Sequence, residues 1–326
     1  MGKQLLVKRI LEGIPSYVKP ISYLMDTLDL GRESAYRRLR GEIPFTFEEV
    51  SKLSVDLDFS VDEIINEGKT SRTHIDFLLN HPEPDVSFSQ MFRKYIHIVS
   101  HVSENEEAEM FASLNRLPLY MISTNDILFK FHYVNYRYRL LGNDALTAGS
   151  FLDVNLPSDV ISIRDKFLEQ MQRINEFRFI VSRSLFLNIC REVQYFYNRK
   201  FISDEELEIL QNTLHNLVET MRETVRTGRN DLFNTQHIFY LSYMDISANS
   251  SCVMTKNDIV SQFWIYGAHF IEVRNSEVCY MYKEWFEYLK KYSVMISISN
   301  EMYQIKFFDL QHRYIDNIVK DFSYFE

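Results

Sequence analysis

The chain has 326 residues, of which 46% are hydrophobic and 25% are charged, and its formal net charge is −9. That length and hydrophobic content are enough for more than one buried core, so we expect two domains. The acidic balance excludes a whole-protein electrostatic attraction to nucleic acid, and any contact with DNA therefore requires a local basic surface.

The amino terminus, the hydrophobic runs and the cysteines all indicate a cytoplasmic protein. The first ten residues are charged and lack the apolar segment and cleavage site of a signal peptide. Charged residues interrupt every hydrophobic run before it reaches the roughly 18 residues that a membrane span needs. The three cysteines, Cys190, Cys252 and Cys279, have neither a disulfide pattern nor a metal-binding spacing. We predict a soluble protein that makes no contact with a membrane.

Segments of helical length, separated by residues typical of turns, fill the first part of the chain. We predict an amino-terminal domain of five small helices over 1–70 and a linker over 71–86, in which two prolines prevent a continuous helix. The rest, 87–326, is predicted to form a larger domain. Apolar residues at helical spacing predict helices in its first part, over 87–102, 126–141, 159–174 and 179–197.

The remainder of the larger domain combines helices with strands. Ser203 followed by Glu206 is a capping box, which predicts a long amphipathic helix that ends at Gly228. Short β-branched and aromatic runs near 236–273 predict strands, and two helices, over 280–292 and 303–322, are predicted to close the chain. The predicted fold class is therefore mainly α, with an all-α amino-terminal domain followed by an α+β domain.

Residues 20–44 have the pattern of a helix, a tight turn, a second helix and a stop at Gly41 and Pro44. On a helical wheel Ala35 and Leu39 share the buried side of the second helix, and its opposite side is rich in arginine. A short helix displayed in this way can enter the major groove and read base edges.

The distribution of charge supports a basic surface on this part of the chain. Residues 1–40 contain eight basic and four acidic residues, whereas residues 41–70 contain two basic and eight acidic residues. The charge of the first domain is therefore polarised, as a local DNA contact requires.

This part of the chain resembles the Cro and phage-repressor class of helix-turn-helix regulators. The resemblance rests on residues 33–44, ESAYRRLRGEIP, and on the predicted helices that follow at 47–57 and 60–65. They are also similar to a group of bacterial regulators that join such a domain to a long carboxyl-terminal region. The resemblance covers about a fifth of the chain. Two positions depart from the class, since Asp29 stands at a turn position that is usually glycine and Arg38 stands where an apolar residue is usual.

The resemblance implies sequence-specific binding of double-stranded DNA and a role in regulating transcription. It implies base or phosphate contacts for five residues of the second helix, and a sixth is added from its position on the helical wheel. These DNA-contact residues are Arg32, Ser34, Tyr36, Arg37, Arg38 and, from the wheel, Arg40. Because one small domain makes few base contacts, we expect a homodimer that binds two half-sites.

The larger domain contains no phosphate loop and no G-x-G-x-x-G, G-x-S-x-G or H-E-x-x-H motif. We therefore predict no enzymatic activity and no cofactor. His97 and His101, with Glu104 beyond them, have the spacing of two metal ligands on one helix, but no further cluster completes a metal site, so no metal is predicted.

The sequence leaves three functions open. The leading hypothesis is a DNA-binding regulator whose larger domain supplies dimerisation, sensing of a small-molecule effector, or both. The abundant Tyr and Phe residues fit a core, an effector pocket or a dimer interface equally well. The alternative, favoured by the acidic balance, is a protein–protein interaction module whose helix-turn-helix no longer binds DNA. An enzyme attached to a DNA-binding head is the third.

Overall fold

A computed structural model describes residues 2–14, 18–57, 59, 61–66, 83–100, 107–142, 150–256, 258–265, 269–320 and 322. The chain divides into two compact units, Met1–Ile75 and Asp76–Glu326, and each is described by itself. Most of the predicted linker, 71–82, lies outside the described residues, and the last residues of that range, 84–86, begin a helix. No helix in the described part of the chain is long and apolar enough to cross a membrane.

The first unit consists of five helices and contains no strand among its described residues. The helices are α1 (Gly2–Gly13), α2 (Pro20–Leu28), α3 (Arg32–Leu39), α4 (Phe47–Asp56) and α5 (Val61–Asn66). The apolar sides of α1, α2, α3 and α4 meet in one core, in which Ile10, Ile14, Leu24, Ala35 and Leu53 are buried. A proline opens α2, where its missing N–H has no helical partner to lose.

The second unit contains eight helices and eight strands among the described residues. The helices are α6 (Pro84–Ser100), α7 (Leu119–Ser123), α8 (Asp126–Leu141), α9 (Ser158–Met171), α10 (Leu187–Asn198), α11 (Asp204–Thr227), α12 (Ser276–Lys291) and α13 (Glu301–Asp316). The strands are β1 (Glu109–Leu114), β2 (Glu176–Ser182), β3 (Arg229–Asn230), β4 (Thr235–Ser242), β5 (Ser250–Met254), β6 (Ile259–Ile265), β7 (His269–Val273) and β8 (Val294–Met295).

These strands form one mixed sheet with the order β3-β4-β2-β1-β5-β6-β7, and β8 also pairs with β4. β1 and β4 lie parallel to β2, whereas the other pairs are antiparallel. The prediction of a mainly α chain is therefore wrong, because a substantial sheet runs through the second unit. Two of its three parallel strands, β1 and β2, lie outside the predicted strand region 236–273, and the predicted helix over 179–197 begins only at Leu187.

Alternate residues of the central strands enter two different cores, one on each side of the sheet. Ala112 and Phe179 belong to the larger core, which most of the helices cover. Their neighbours Phe111 and Ile180 point to the opposite side and pack with Phe286 of α12. Because both faces are covered, apolar residues are consecutive at 110–112 of β1 and at 179–181 of β2, so neither strand keeps the strict alternation by which a half-buried strand is recognised in a sequence.

The long helix α11 has the predicted bounds. The Ser203 side chain accepts a hydrogen bond from the Glu206 backbone N–H, and the Glu206 side chain accepts one from the Ser203 N–H. Gly228 ends the helix in the left-handed conformation at φ 71°. The predicted capping box and glycine stop are both confirmed.

Candidate functional site

Two residues in the left-handed conformation fix the position of α3. Asp29 ends α2 at φ 53°, and the next residue, Leu30, donates its N–H to the Met25 carbonyl over 3.2 Å. Gly41 ends the region of α3 at φ 73°, with its N–H bound to the Arg38 carbonyl at 2.9 Å. Aspartate tolerates this conformation better than most residues do, so the turn forms without the usual glycine.

One side of α3 is anchored in the core of the first unit. Ala35 is completely buried beside Leu24 and Leu53, and Leu39 is half-buried against the same cluster. Tyr23 of α2 donates a hydrogen bond to Asp56 of α4, and burial together with this bond raises the pKa of Tyr23 to about 12. These contacts hold α2, α3 and α4 together and direct the other side of α3 outward.

Four of the six predicted DNA-contact residues are exposed. They are Arg32, Tyr36, Arg37 and Arg40, which we call the α3 surface. The Arg40 guanidinium lies 5.5 Å from the centre of the Tyr36 ring, a cation–π contact that leaves both groups accessible. The α3 surface therefore combines three guanidinium groups with one aromatic ring, and the carboxylate of Glu33 is also exposed on this helix.

Glu42, which sequence reasoning did not single out, lies between two of these arginines. Its carboxylate oxygens are 3.3 Å from Arg37 Nε and 3.3 Å from Arg40 Nε. All three side chains are exposed, by 41% for Glu42, 48% for Arg37 and 61% for Arg40. An anion of the same charge, such as a DNA phosphate, can replace the carboxylate at both arginines.

Arg38 and Ser34 are directed toward the protein itself. Arg38 Nε and Nη2 donate to the two oxygens of Glu49 over 2.9 and 2.7 Å, and Nη1 donates to Ser34 Oγ over 2.6 Å. Only 11% of the Arg38 side chain and 15% of the Glu49 side chain are exposed. The arginine thus connects α3 to α4, and the structure does not bring it or Ser34 together with the α3 surface.

Glu49 has a second role, because it also belongs to the capping box of α4. The Thr46 side chain accepts from the Glu49 N–H, and Glu49 Oε2 accepts from the Thr46 N–H over 2.9 Å. Burial raises the pKa of Glu49, but the hydrogen bonds from Arg38 and Thr46 lower it more, so it lies below its ordinary value. A threonine with a glutamate three residues later was the available sequence signal for this group.

An apolar cavity of about 520 Å³ lies beside Arg38 in the first unit. Residues of α1, α4 and α5 line it, together with the segment after α3, and Val7, Pro44 and Ile65 are among them. Phe47, at its margin, is 77% exposed. An exposed aromatic ring beside an apolar recess is typical of a surface that contacts another protein.

Of the predicted histidine pair, His97 lies on α6, whereas His101 and Glu104 fall outside the described residues. Within the described residues no three His, Cys, Asp or Glu side chains are arranged to hold a metal ion. All three cysteines are buried and unpaired.

No family model, no curated protein and no solved structure matches this chain. Its function is therefore inferred from the chemistry of the two units. The α3 surface, with three exposed guanidinium groups beside one aromatic ring, offers the clearest chemistry for binding a partner.

Proposed function

We propose that the protein is a cytoplasmic, sequence-specific DNA-binding regulator of transcription that inserts α3 into the major groove. The observation that carries this proposal is the α3 surface, on which Arg32, Tyr36, Arg37 and Arg40 are exposed while Ala35 is buried. Arginine pairs with guanine edges or with phosphates, and a short helix whose buried side is packed against the core can present it to either.

The contact residues in this proposal differ from those implied by sequence resemblance. Arg38 is retained as a positioning residue rather than a DNA contact, since Glu49 and Ser34 already occupy its donors. Arg37 is the central candidate for reading a base. Breaking its long, exposed ion pair with Glu42 requires little free energy.

The test is a titration of the full chain with DNA selected from a random library. Arg37→Ala is expected to weaken binding by about 1–3 kcal/mol and to relax preference at one base position. Lys52→Ala is the matched control, because Lys52 is exposed on α4 rather than on α3. Unchanged affinity and preference in Arg37→Ala, with unchanged folding, would exclude α3 as the reading helix.

We further propose that the second unit forms a homodimer through α12. Met281, Trp285, Tyr288 and Tyr292 are all exposed at spacings of three or four residues, so they form one stripe on the outer side of the helix. This stripe runs for about 16 Å. A second copy of the chain is its occupant, since two half-sites require two reading helices and large exposed aromatic residues mark interfaces.

Light scattering of the full chain tests the dimer. Trp285→Ser is expected to shift the protein toward the monomer, whereas Leu232→Ser, which removes an apolar side chain that is 63% exposed elsewhere, is expected to leave the dimer intact. A monomer at micromolar concentration, with and without DNA, contradicts this part of the proposal.

A protein–protein interaction module is the second candidate. The cavity beside Phe47 favours it, as does the partial neutralisation of Arg37 and Arg40 by Glu42. The salt dependence of DNA affinity separates the two functions. Phosphate contacts make the logarithm of the binding constant fall linearly with the logarithm of the salt concentration, and a docking module shows no specific DNA affinity to measure.

A further inference from the structure

The second unit has a cavity with both charged and apolar walls at the carboxyl end of β1, between α8 and α10. Its volume is about 50 Å³, and its lining includes Arg116, just after β1, and Asn249, just before β5. β1 lies parallel to β2 on one side and antiparallel to β5 on the other. The carboxyl ends of parallel strands are where open α/β sheets bind their ligands.

Asparagine side chains hold the backbone around this cavity in place. Asn249 Oδ1 accepts from the backbone N–H groups of Asn115 at 2.8 Å and Arg116 at 3.3 Å. Asn188 Nδ2, on α10, donates to the Asn115 carbonyl over 2.9 Å. The amides that form these bonds are therefore committed to shaping the cavity.

The acidic group in the lining is already neutralised. Glu192 of α10 accepts from Arg139 Nη2 over 2.7 Å and from Asn135 Nδ2 over 2.9 Å, and Arg139 Nε donates to Asn135 Oδ1 over 3.2 Å. The three hydrogen bonds among Glu192, Arg139 and Asn135 join α8 to α10. It leaves the cavity with a positive charge that no carboxylate in its described lining balances.

That charge belongs to Arg116, which has no ion-pair partner among the residues that the structure describes. Beside it, His132 Nε2 is buried without a hydrogen-bond partner in the described structure. Burial lowers the pKa of His132 to about 4, with smaller effects from Arg139 and Arg116, so the imidazole is neutral near pH 7. A neutral ring that can donate an N–H and an unpaired guanidinium in one recess are complementary to an oxyanion.

A second cavity, of about 40 Å³, shares Leu119, Asn249 and Trp264 with the first. The rest of its lining is almost entirely apolar. The charged cavity has space for only a few water-sized groups, which suits the head of a ligand rather than a whole large molecule. The apolar neighbour suits a short hydrocarbon chain attached to that head.

We propose that these cavities bind a small carboxylic acid with a short aliphatic chain, whose carboxylate is held by Arg116 and by the His132 N–H. The proposal goes beyond DNA binding and concerns the second unit alone. It stands or falls without any contribution from the α3 surface.

Calorimetric titration of the full chain at constant ionic strength tests this site, with butyrate, its neutral analogue butyramide and inorganic phosphate as probes. Butyrate is expected to bind at least about tenfold more tightly than butyramide, because only the acid pairs with the guanidinium. Arg116→Gln is expected to weaken butyrate binding about tenfold or more, and Arg116→Lys by less, since it keeps the charge. Arg313→Gln, at an exposed position on α13, is the control and is expected to bind like the wild type.

His132→Phe separates ligand binding from folding. It removes the unpartnered Nε2 and keeps a ring of similar shape, so the ligand-free protein is expected to melt no lower than the wild type while its butyrate affinity falls. Equal binding of butyrate and butyramide, or full affinity in Arg116→Gln, would overturn the proposal. So would a butyrate Kd weaker than about 10 mM. Binding of phosphate alone would overturn the carboxylic acid as the ligand.

Discussion

Replacing Glu42 by glutamine tests the α3 surface by a gain in DNA affinity rather than by a loss. The Glu42 carboxylate is 3.3 Å from the Nε atoms of Arg37 and Arg40, as near as a bound phosphate would be. Because all three side chains are exposed, each pair contributes at most about 1 kcal/mol to stability. Glu42→Gln is therefore expected to leave folding almost unchanged.

Its effect on DNA binding depends on the charge that it removes. A carboxylate about 6 Å from a phosphate in water is repelled by about 0.7 kcal/mol. One or two phosphates near the α3 surface give about 0.7–1.4 kcal/mol, which corresponds to binding that is about threefold to tenfold tighter. Salt at about 0.1 M screens part of this repulsion and moves the gain toward the lower value.

Fluorescence anisotropy with a selected DNA duplex at several salt concentrations measures this gain. Glu48→Gln, which removes the same charge from an exposed position on α4, is the control and is expected to change affinity less. Glu42→Gln and Arg37→Ala are expected to act in opposite directions. If Glu42→Gln binds no more tightly than Glu48→Gln at low salt, the α3 surface does not lie against phosphates.

Four further predictions concern the support of α3. Arg38→Ala is expected to destabilise the first unit by about 2–3 kcal/mol, because it leaves the largely buried Glu49 carboxylate unpaired, and amide hydrogen exchange in α3 and α4 measures this loss. Hydrogen bonds from Arg38 and Thr46 outweigh burial and lower the Glu49 pKa. The contribution of this carboxylate to the stability of the first unit is therefore complete above its ordinary pKa of 4.5 and is lost as the pH falls through the lower pKa of the folded state. The protection factors of the α3 amides, which are corrected for the intrinsic pH dependence of exchange, should therefore fall only in acid, and a loss of protection at neutral pH would contradict the assignment. Asp29→Gly is expected to stabilise the turn by about 0.5 kcal/mol and Gly41→Ala to destabilise the end of α3 by about 1 kcal/mol, because both positions have positive φ; equal melting temperatures would contradict this. Leu24→Ala is expected to destabilise the unit by about 2–5 kcal/mol and to abolish DNA binding through unfolding, and a variant that melts like the wild type would contradict the proposed core.

The local signals of α2, the turn and α3 could be predicted from the sequence because each is encoded by neighbouring residues. Asp29 and Gly41 mark the turn and the stop, and the wheel separates Ala35 from the arginines. The role of Arg38 could not be predicted in this way. Its partner Glu49 is eleven residues away in another helix, and only the packing of α3 against α4 brings the two together.

The sheet also depends on contacts between segments that are far apart in the sequence. The antiparallel strands after residue 235 carry turn signals between them, whereas β1 and β2 are separated by three helices and pair only in the folded chain. The cavity at Arg116 was equally inaccessible to sequence reasoning. Its residues come from the segment after β1, from α7, α8 and α10, from the residue before β5 and from β6, and no single stretch contains a recognisable motif.

The separation of Arg38 from the α3 surface has a consequence for how this protein can change over generations. Substitutions at 32, 36, 37 and 40 alter the chemistry offered to a binding partner, yet none of them breaks the bonds that Arg38 makes with Ser34 and Glu49. The chemistry of the α3 surface can therefore change by single substitutions while the fold is maintained. Positions 38 and 49, in contrast, are expected to change together, since loss of Arg38 alone leaves the Glu49 carboxylate unpaired and loss of Glu49 alone also removes the cap of α4.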